Sequence, residues 1–311
     1  MQQSDFRLPV ADGNAIFVRS FLPEQPPRAI VQLAHGMAEH SARYARFGAA
    51  LSEHGYGLYA NDHRGHGYTV TSSDDLGHYA DDDGWDKVVS DQGALFAELK
   101  SRHPRTPIFL MGHSMGSYIV RSAATRMGAE LAGLVLSGTS HDHAGVYKTF
   151  RLAAAAERAR LGKRGKSKLL RKLSFDAFNK QFDKPRTSAD WLSRDEAEVD
   201  KYVADPLCGF ECTTQLWWDM FGGLVEIYSP THIAKLPKQL PIYILAGERD
   251  PLNNRLAAIK KLHVALENAQ LGDVTLRVYQ NARHELLNET NRDEVTRDLL
   301  AWLDERLARS S

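Results

Sequence analysis

The sequence predicts an α/β fold: a mostly parallel central sheet with helices on both faces, interrupted once by a helical insertion. Three observations lead there. Short apolar runs alternate with longer amphipathic ones through the first 140 residues. The alternation stops over residues 141–232 and resumes afterwards. A single Gly-x-Ser-x-Gly turn joins one apolar run to the amphipathic run behind it. Strands buried on both faces read as continuous apolar runs, and helical crossovers between them make the sheet parallel.

The elements follow in order. Residues 14–21 and 29–33 read as strands, 44–53 as a helix and 57–60 as a short strand. Residues 86–102 are helical, with Val88, Val89, Leu95, Phe96 and Leu99 as apolar positions. Residues 108–111 form a buried strand, 115–127 a helix and 131–137 another strand. After the break come a strand at 242–246, a helix at 255–268, a strand at 274–279 and a helix at 292–307. A structureless loop of about 90 residues is improbable in a compact domain. The division expected is therefore one core, residues 1–140 and 233–311, carrying a helical cap at 141–232. The cap follows a strand at the carboxyl edge of the sheet, where open α/β sheets bind ligands, so it is placed as a lid.

Composition excludes several function classes. Lys+Arg and Asp+Glu both count 39, so no net charge recruits nucleic acid or a membrane. No apolar run approaches the ~18–20 residues of a membrane span. The first residues, MQQSDFRLPV, lack the basic and apolar stretches of a signal peptide. Cys208 and Cys212 have no second Cys/His pair at zinc spacing and read as free thiols in a reducing compartment, which places the chain in the cytoplasm.

The chemistry is carried by Gly112-His113-Ser114-Met115-Gly116, with an apolar strand before it and a helix after. Such a turn is sharp and holds its serine strained, and the glycines let strand and helix approach. The helix N-terminus offers the Met115 N–H and a favourable dipole to a developing oxyanion. A serine hydroxyl needs a base, and in this arrangement the order is Ser, acid, His, each on a loop leaving a carboxyl strand end. His284 follows the last strand. Asp250 follows the strand before it, and Glu248 shares its loop as the alternative acid. Ser114 is then the nucleophile, His284 the base, and Asp250 the group that orients the imidazole. The second oxyanion donor comes from the loop after the third strand, which begins His35-Gly36-Met37; the Met37 N–H is assigned to it, with Gly36 turning the backbone. His35, Glu39 and His40 are spaced one residue too long for a zinc helix motif, so no metal and no cofactor are expected.

Together these residues resemble the monoacylglycerol lipase and lysophospholipase branch of the α/β-hydrolase superfamily. The match runs through the elbow Gly112–Gly116, through His35-Gly36-Met37-Ala38-Glu39-His40-Ser41 with Arg43-Tyr44, and through Asp62-His63-Arg64-Gly65-His66-Gly67. Met37-Ala38, Ser117 and Thr69 depart from the commoner residues of that branch. The resemblance implies the α/β-hydrolase fold and an acyl-enzyme on small lipid esters, monoacylglycerol or lysophospholipid. It also implies that Glu39 and Arg43 organise a pocket for the alcohol head group; from the residues alone, they read equally as an ion pair beside the helix near Tyr44. A short-chain carboxylesterase, an amidase or aminopeptidase, and a non-catalytic ligand-binding homologue remain as alternatives.

Residues 158–186 hold eleven Lys/Arg against two Asp. Leu169, Leu170 and Leu173 read as one helical face there. The segment is either a lid surface that docks transiently on anionic lipid or a solvated basic helix packing its leucines inward. Trp191, Trp217, Trp218, Phe210 and Phe221 either wall an acyl pocket or form the cap's own core.

Overall fold

The computed structural model describes residues 1–310 and is built around an eight-stranded sheet. The chain runs β1 (Gln2–Pro9), β2 (Ala15–Leu22), β3 (Ala29–Ala34), α1 (Ala45–Glu53), β4 (Tyr56–Asn61), α2 (Gly84–Arg102), β5 (Ile108–His113), α3 (Met115–Met127) and β6 (Gly133–Ser137). Six helices follow: α4 (Ala144–Leu161), α5 (Lys168–Leu173), α6 (Phe175–Asn179), α7 (Glu196–Ala204), α8 (Thr214–Ile227) and α9 (Pro230–Ile233). The alternation then resumes with β7 (Ile242–Gly247), α10 (Ala257–Asn268), β8 (Val274–Tyr279) and α11 (Arg292–Ser310).

The strand order is β1-β2-β4-β3-β5-β6-β7-β8. β2 is antiparallel to both β1 and β4, and every other neighbouring pair is parallel. Successive side chains point to opposite faces, so each central strand feeds two cores. Ile108 and Leu110 of β5 pack with α2, α3, α8 and α10, while Phe109 and Met111 pack with α1 and α11. This two-sided burial is why these strands show no polar alternation.

β1 is the element that sequence reasoning passed over. It pairs with β2 along its whole length, from Gln2↔Leu22 to Pro9↔Ala15, yet its first four residues are exposed. An edge strand with only Phe6 and Leu8 turned partly inward carries too weak a pattern to stand out.

Between β6 and β7 the described residues add no strand to the sheet; only an isolated bridge, Lys166–Thr213, occurs there. α4 packs along α8. The C-terminal end of α8 is held to α3 by Arg121, whose guanidinium donates to the carbonyls of Ser140 (3.0 Å) and Ile227 (3.4 Å). A cation at a helix C-terminus meets the negative end of its dipole, which compensates an arginine buried without a carboxylate partner among the described residues.

Because β3 and β5–β8 are parallel, their carboxyl ends share one edge of the sheet. The loops at 35–40, 248–253 and 280–288, and the turn at Ser114, all leave that edge.

Candidate active site

Ser114 sits between β5 and α3 with φ +52° and ψ −121°, a region that non-glycine residues rarely occupy. Such strain costs about 1–3 kcal/mol and persists only where its surroundings enforce it. Here the Ser114 N–H donates to the Ser137 carbonyl (2.9 Å), and the Ser114 carbonyl accepts from the N–H (2.9 Å) and hydroxyl (2.6 Å) of Ser117. Ser117 thus latches the strained turn with both its backbone and its hydroxyl. A Cβ on Gly116 would stand 2.0 Å from the Ala34 carbonyl oxygen, so this position excludes every side chain.

The loop after β3 packs directly on Ser114. A Cβ on Gly36 would meet Glu39 Oε1 at 2.7 Å and Ser114 Cβ at 3.2 Å. Gly36 is needed for close approach, and the left-handed residue of this loop is Ala38 (φ +55°) rather than Gly36, so the turn expected at the glycine lies two residues further on. The loop is propped from below by the segment after β4. Asp62 accepts from the backbone N–H groups of Ser41 and Tyr68, both at 2.7 Å. His63 donates its N–H to His35 Nε2 at 3.0 Å. His35 is buried, and burial followed by its neighbours His63 and His66 pushes its imidazole well below the usual range. His40, the other histidine of this loop, pairs through Nε2 with Asp205 (2.8 Å). Cys208 lies near that pair, its ligand-type atom within 4.8 Å of theirs, but the Arg43 cation beside it opposes a metal ion there.

The N–H groups of Met37 and Met115 have no hydrogen-bond partner among the described residues. Tyr79 fixes the Met115 side chain by donating its hydroxyl to the sulfur at 2.7 Å.

Asp250 and His284 meet across the loops after β7 and β8, His284 Nδ1 to Asp250 Oδ2 at 2.9 Å. The other Asp250 oxygen accepts from the Leu252 N–H, also at 2.9 Å. Glu248 is exposed and accepts from the Asn281 N–H, so it does not compete for the histidine. His284 is fully buried, its ring between those of His113 (4.8 Å) and Trp191 (4.9 Å). Burial pulls its imidazole down; Asp250 overrides this, and the net direction is up from 6.5. His113 is instead pushed down to about 4, by burial first and then by His284. His284 Nε2 is buried without a partner, and no hydrogen bond joins it to Ser114 among the described residues. Bonds of this kind commonly tighten only when substrate binds.

Glu39 and Arg43 do form an ion pair (2.8 Å), with a third member the sequence did not announce. Arg43 forks onto Glu285 at 2.6 and 2.7 Å. The one signal for it in the sequence is an acid directly after His284.

Met37, Ser114 and Met115 head a cavity of ≈ 200 Å³ whose walls are mostly apolar, among them Leu170, Phe175, Trp191 and Trp217. Neither Glu39 nor Arg43 lines it. Two of the insertion's tryptophans thus face the cavity, while Trp218 stacks under Arg151 and Arg158 and Phe210 packs on His66.

Over residues 25–291 the sequence matches the family described as serine aminopeptidase, S33. The chain belongs to that family. Similar relatives of this S33 hydrolase include a monoacylglycerol lipase of Mycolicibacterium smegmatis, 31% identical over 94% of this chain and 93% of that one. The human monoglyceride lipase is 28% identical over 96% and 89%. A crystal structure of a thermostable carboxyl esterase from Bacillus coagulans in complex with glycerol superposes with a TM-score of 0.90, 27% identity and 99% coverage of both chains. The S33 chain is a serine ester hydrolase of the α/β-hydrolase fold.

Proposed function

We propose that this hydrolase cleaves monoacylglycerols or similar single-chain lipid esters through an acyl-enzyme at Ser114. The observation that carries the reading is the uncharged, largely apolar cavity with Ser114 at its head. Such a wall takes an acyl chain out of water at about 25 cal/mol per Å² of apolar surface buried.

In the proposed sequence, His284 takes the Ser114 proton as Oγ bonds to the ester carbonyl carbon. The carbonyl electrons move onto oxygen, which the Met37 and Met115 N–H groups receive. Collapse of this intermediate breaks the bond to the alcohol, and His284 returns the proton to the leaving alkoxide. Water then repeats the cycle on the acyl-enzyme and releases the fatty acid. Asp250 holds the imidazole in its tautomer and stabilises the imidazolium. No step requires a metal or cofactor. Glu39 and Arg43, lying outside the cavity, act as positioning residues for the loop rather than as contacts to the alcohol.

An aminopeptidase reading fits less well. No carboxylate lines the cavity among the described residues, so a substrate ammonium would be buried unpaired. A short-chain carboxylesterase is the second reading, supported by the likeness to the Bacillus coagulans esterase.

Residues 141–232 are proposed as the cap and residues 158–186 as its lipid-facing surface, in a cytoplasmic protein that visits membranes peripherally. Among the described residues no helix is long and apolar enough to cross a membrane. On α5, Leu170 is buried against the cavity and Leu173 lines it too while about half exposed (47%), whereas Leu169, equally exposed (48%), does not line it. The leucine face read from sequence thus keeps Leu170 and Leu173 on the cavity and loses Leu169. Leu169 adjoins exposed Lys168 and Lys172, a composition suited to an anionic interface.

The test is turnover on monoacylglycerol, lysophospholipid, tributyrin and a chain-length series of 4-nitrophenyl esters, with Ser114→Ala as control. A preference for monoacylglycerol over short esters supports the proposal; preference for acetyl and butyryl esters supports the carboxylesterase.

A further inference from the structure

The oxyanion loop and the histidine loop are joined by a buried charged cluster that the proposed steps leave unused. Arg43 holds Glu39 through one oxygen and Glu285 through two, at 2.6 to 2.8 Å. The second oxygen of Glu39 accepts from the Gly36 N–H (2.6 Å) and the Tyr44 hydroxyl (3.0 Å). Glu285 also accepts from the Asn288 amide (3.0 Å), and the Arg43 guanidinium lies 4.9 Å over the Tyr202 ring. The side chains of Glu39, Arg43 and Glu285 are only 3%, 10% and 6% exposed.

Two carboxylates on one guanidinium leave an excess negative charge inside the protein. Uncompensated buried charge is unfavourable, so what lies nearby matters. Glu285 is covalently next to His284, and it lines a small cavity together with His113, whose ring contacts that of His284. The groups facing His284 are Asp250 at Nδ1, the neutral His113, and this cluster; the cap contributes Trp191, which carries no charge. The contacts also form one mechanical chain: His284 to Glu285, Arg43, Glu39, the Gly36 N–H and so Met37.

We infer that Glu285 is a positioning residue: through Arg43 and Glu39 it fixes the histidine loop against the oxyanion loop, and its charge supports the imidazolium that His284 becomes on taking the Ser114 proton. The inference rests on the ester-hydrolase reading. The direction of the His284 shift agrees with it, since Asp250 raises the imidazole and Glu285 and Glu39 raise it further against burial. Glu285 itself, which burial would raise, is held at about 2 by Arg43, so its charge is present wherever the enzyme works.

The experiment compares Glu285→Gln, Glu285→Asp and Glu39→Gln with the native chain. It reads the pH dependence of kcat/KM on a water-soluble ester. In a Ser114→Ala background it also reads the His284 titration by NMR of labelled histidine. Glu285→Gln keeps the shape and loses the charge, so both midpoints should move down by about half a pH unit or more. Its kcat should fall about tenfold or more, since small misplacements near the chemistry are costly, with KM little changed. Glu285→Asp restores the charge without the two-pronged reach; its midpoint should return to the native pH while kcat stays low. If Glu285→Gln does not fold, Glu39→Gln removes charge from the same cluster and carries the same expectation. A native midpoint in whichever of the two folds overturns the inference, as does an equal shift in Glu285→Asp. Failure of every ester to turn over, with no labelling of Ser114 by a fluorophosphonate, would sink the ester-hydrolase reading instead. The NMR titration would still decide the inference.

Discussion

His284 Nδ1 lies 2.9 Å from Asp250 Oδ2, and the opposite ring nitrogen is buried with no partner among the described residues. The ring is thus held by one edge and free at the other, as a base must be. Only neutral imidazole can take a proton, and the His284 value is raised above 6.5 by Asp250 against burial. Activity should therefore fall as pH drops through a midpoint above 6.5. A kcat/KM profile flat down to pH ~5.5 would remove His284 from its role, because even an unshifted histidine titrates near ~6.5.

The two acids of one loop should separate cleanly. Asp250→Asn leaves the shape but favours the wrong tautomer of His284, a change worth about 10⁴-fold in kcat at comparable sites. Glu248→Gln touches only the Asn281 N–H and should stay within about twofold of native kcat, as surface changes usually do. Equal losses in both variants would overturn the assignment.

Gly36→Ala should act on rate through the oxyanion loop. The new methyl group would need the place of Glu39 Oε1, 2.7 Å away, and would press on Ser114. Displacing the Met37 N–H is comparable to losing one oxyanion donor, about 10²–10³-fold in kcat. Steady-state kinetics beside a thermal melt check this; an unimpaired kcat in the folded variant excludes Met37 as a donor.

Arg43→Met should be the most destabilising single change in this region. It leaves Glu39 and Glu285 buried without their cation, which costs about 3–5 kcal/mol by the precedent of broken buried pairs. Urea denaturation at neutral pH measures it. The sign with pH follows from Glu285, held by Arg43 at about 2 against an ordinary 4.5. Its contribution is complete above 4.5 and is lost as pH falls toward 2, so the gap between native and variant should narrow in acid.

Leu169→Ser should weaken binding to anionic phospholipid vesicles and leave hydrolysis of a water-soluble ester largely intact. This side chain is about half exposed and does not line the cavity, and the change removes up to ~1 kcal/mol of apolar insertion, several-fold in the partition coefficient. Native protein that binds anionic vesicles no better than neutral ones at low salt would reduce residues 158–186 to a solvated surface.

The fold was legible because its strands are buried on both faces. Ile108, Phe109, Leu110 and Met111 admit no other reading beside a Gly-flanked serine. β1 was not legible, because an exposed edge pair leaves almost no apolar period. At the site, Ser114, Asp250 and His284 were readable as positions in a chain order, since the parallel sheet sends each loop to the same edge. Glu285 was hidden, because charge alone does not say whether a side chain is buried. Leu169, Leu170 and Leu173 read as one face, but α5 is only six residues long, and its packing turns Leu170 and Leu173 to the cavity and leaves Leu169 outside.

The Gly209 N–H donates to the Ala38 carbonyl (2.9 Å), and the Glu285 N–H donates to the Leu192 carbonyl (2.7 Å). Backbone from the insertion is thereby stitched to both loops that carry the chemistry, Ala38 beside Met37 and Glu285 beside His284. This edge cannot swing away without dismantling the site, so it behaves as a doorframe. The same frame carries part of the cavity wall, because Phe175 and Phe178 rest on Trp191, the neighbour of Leu192.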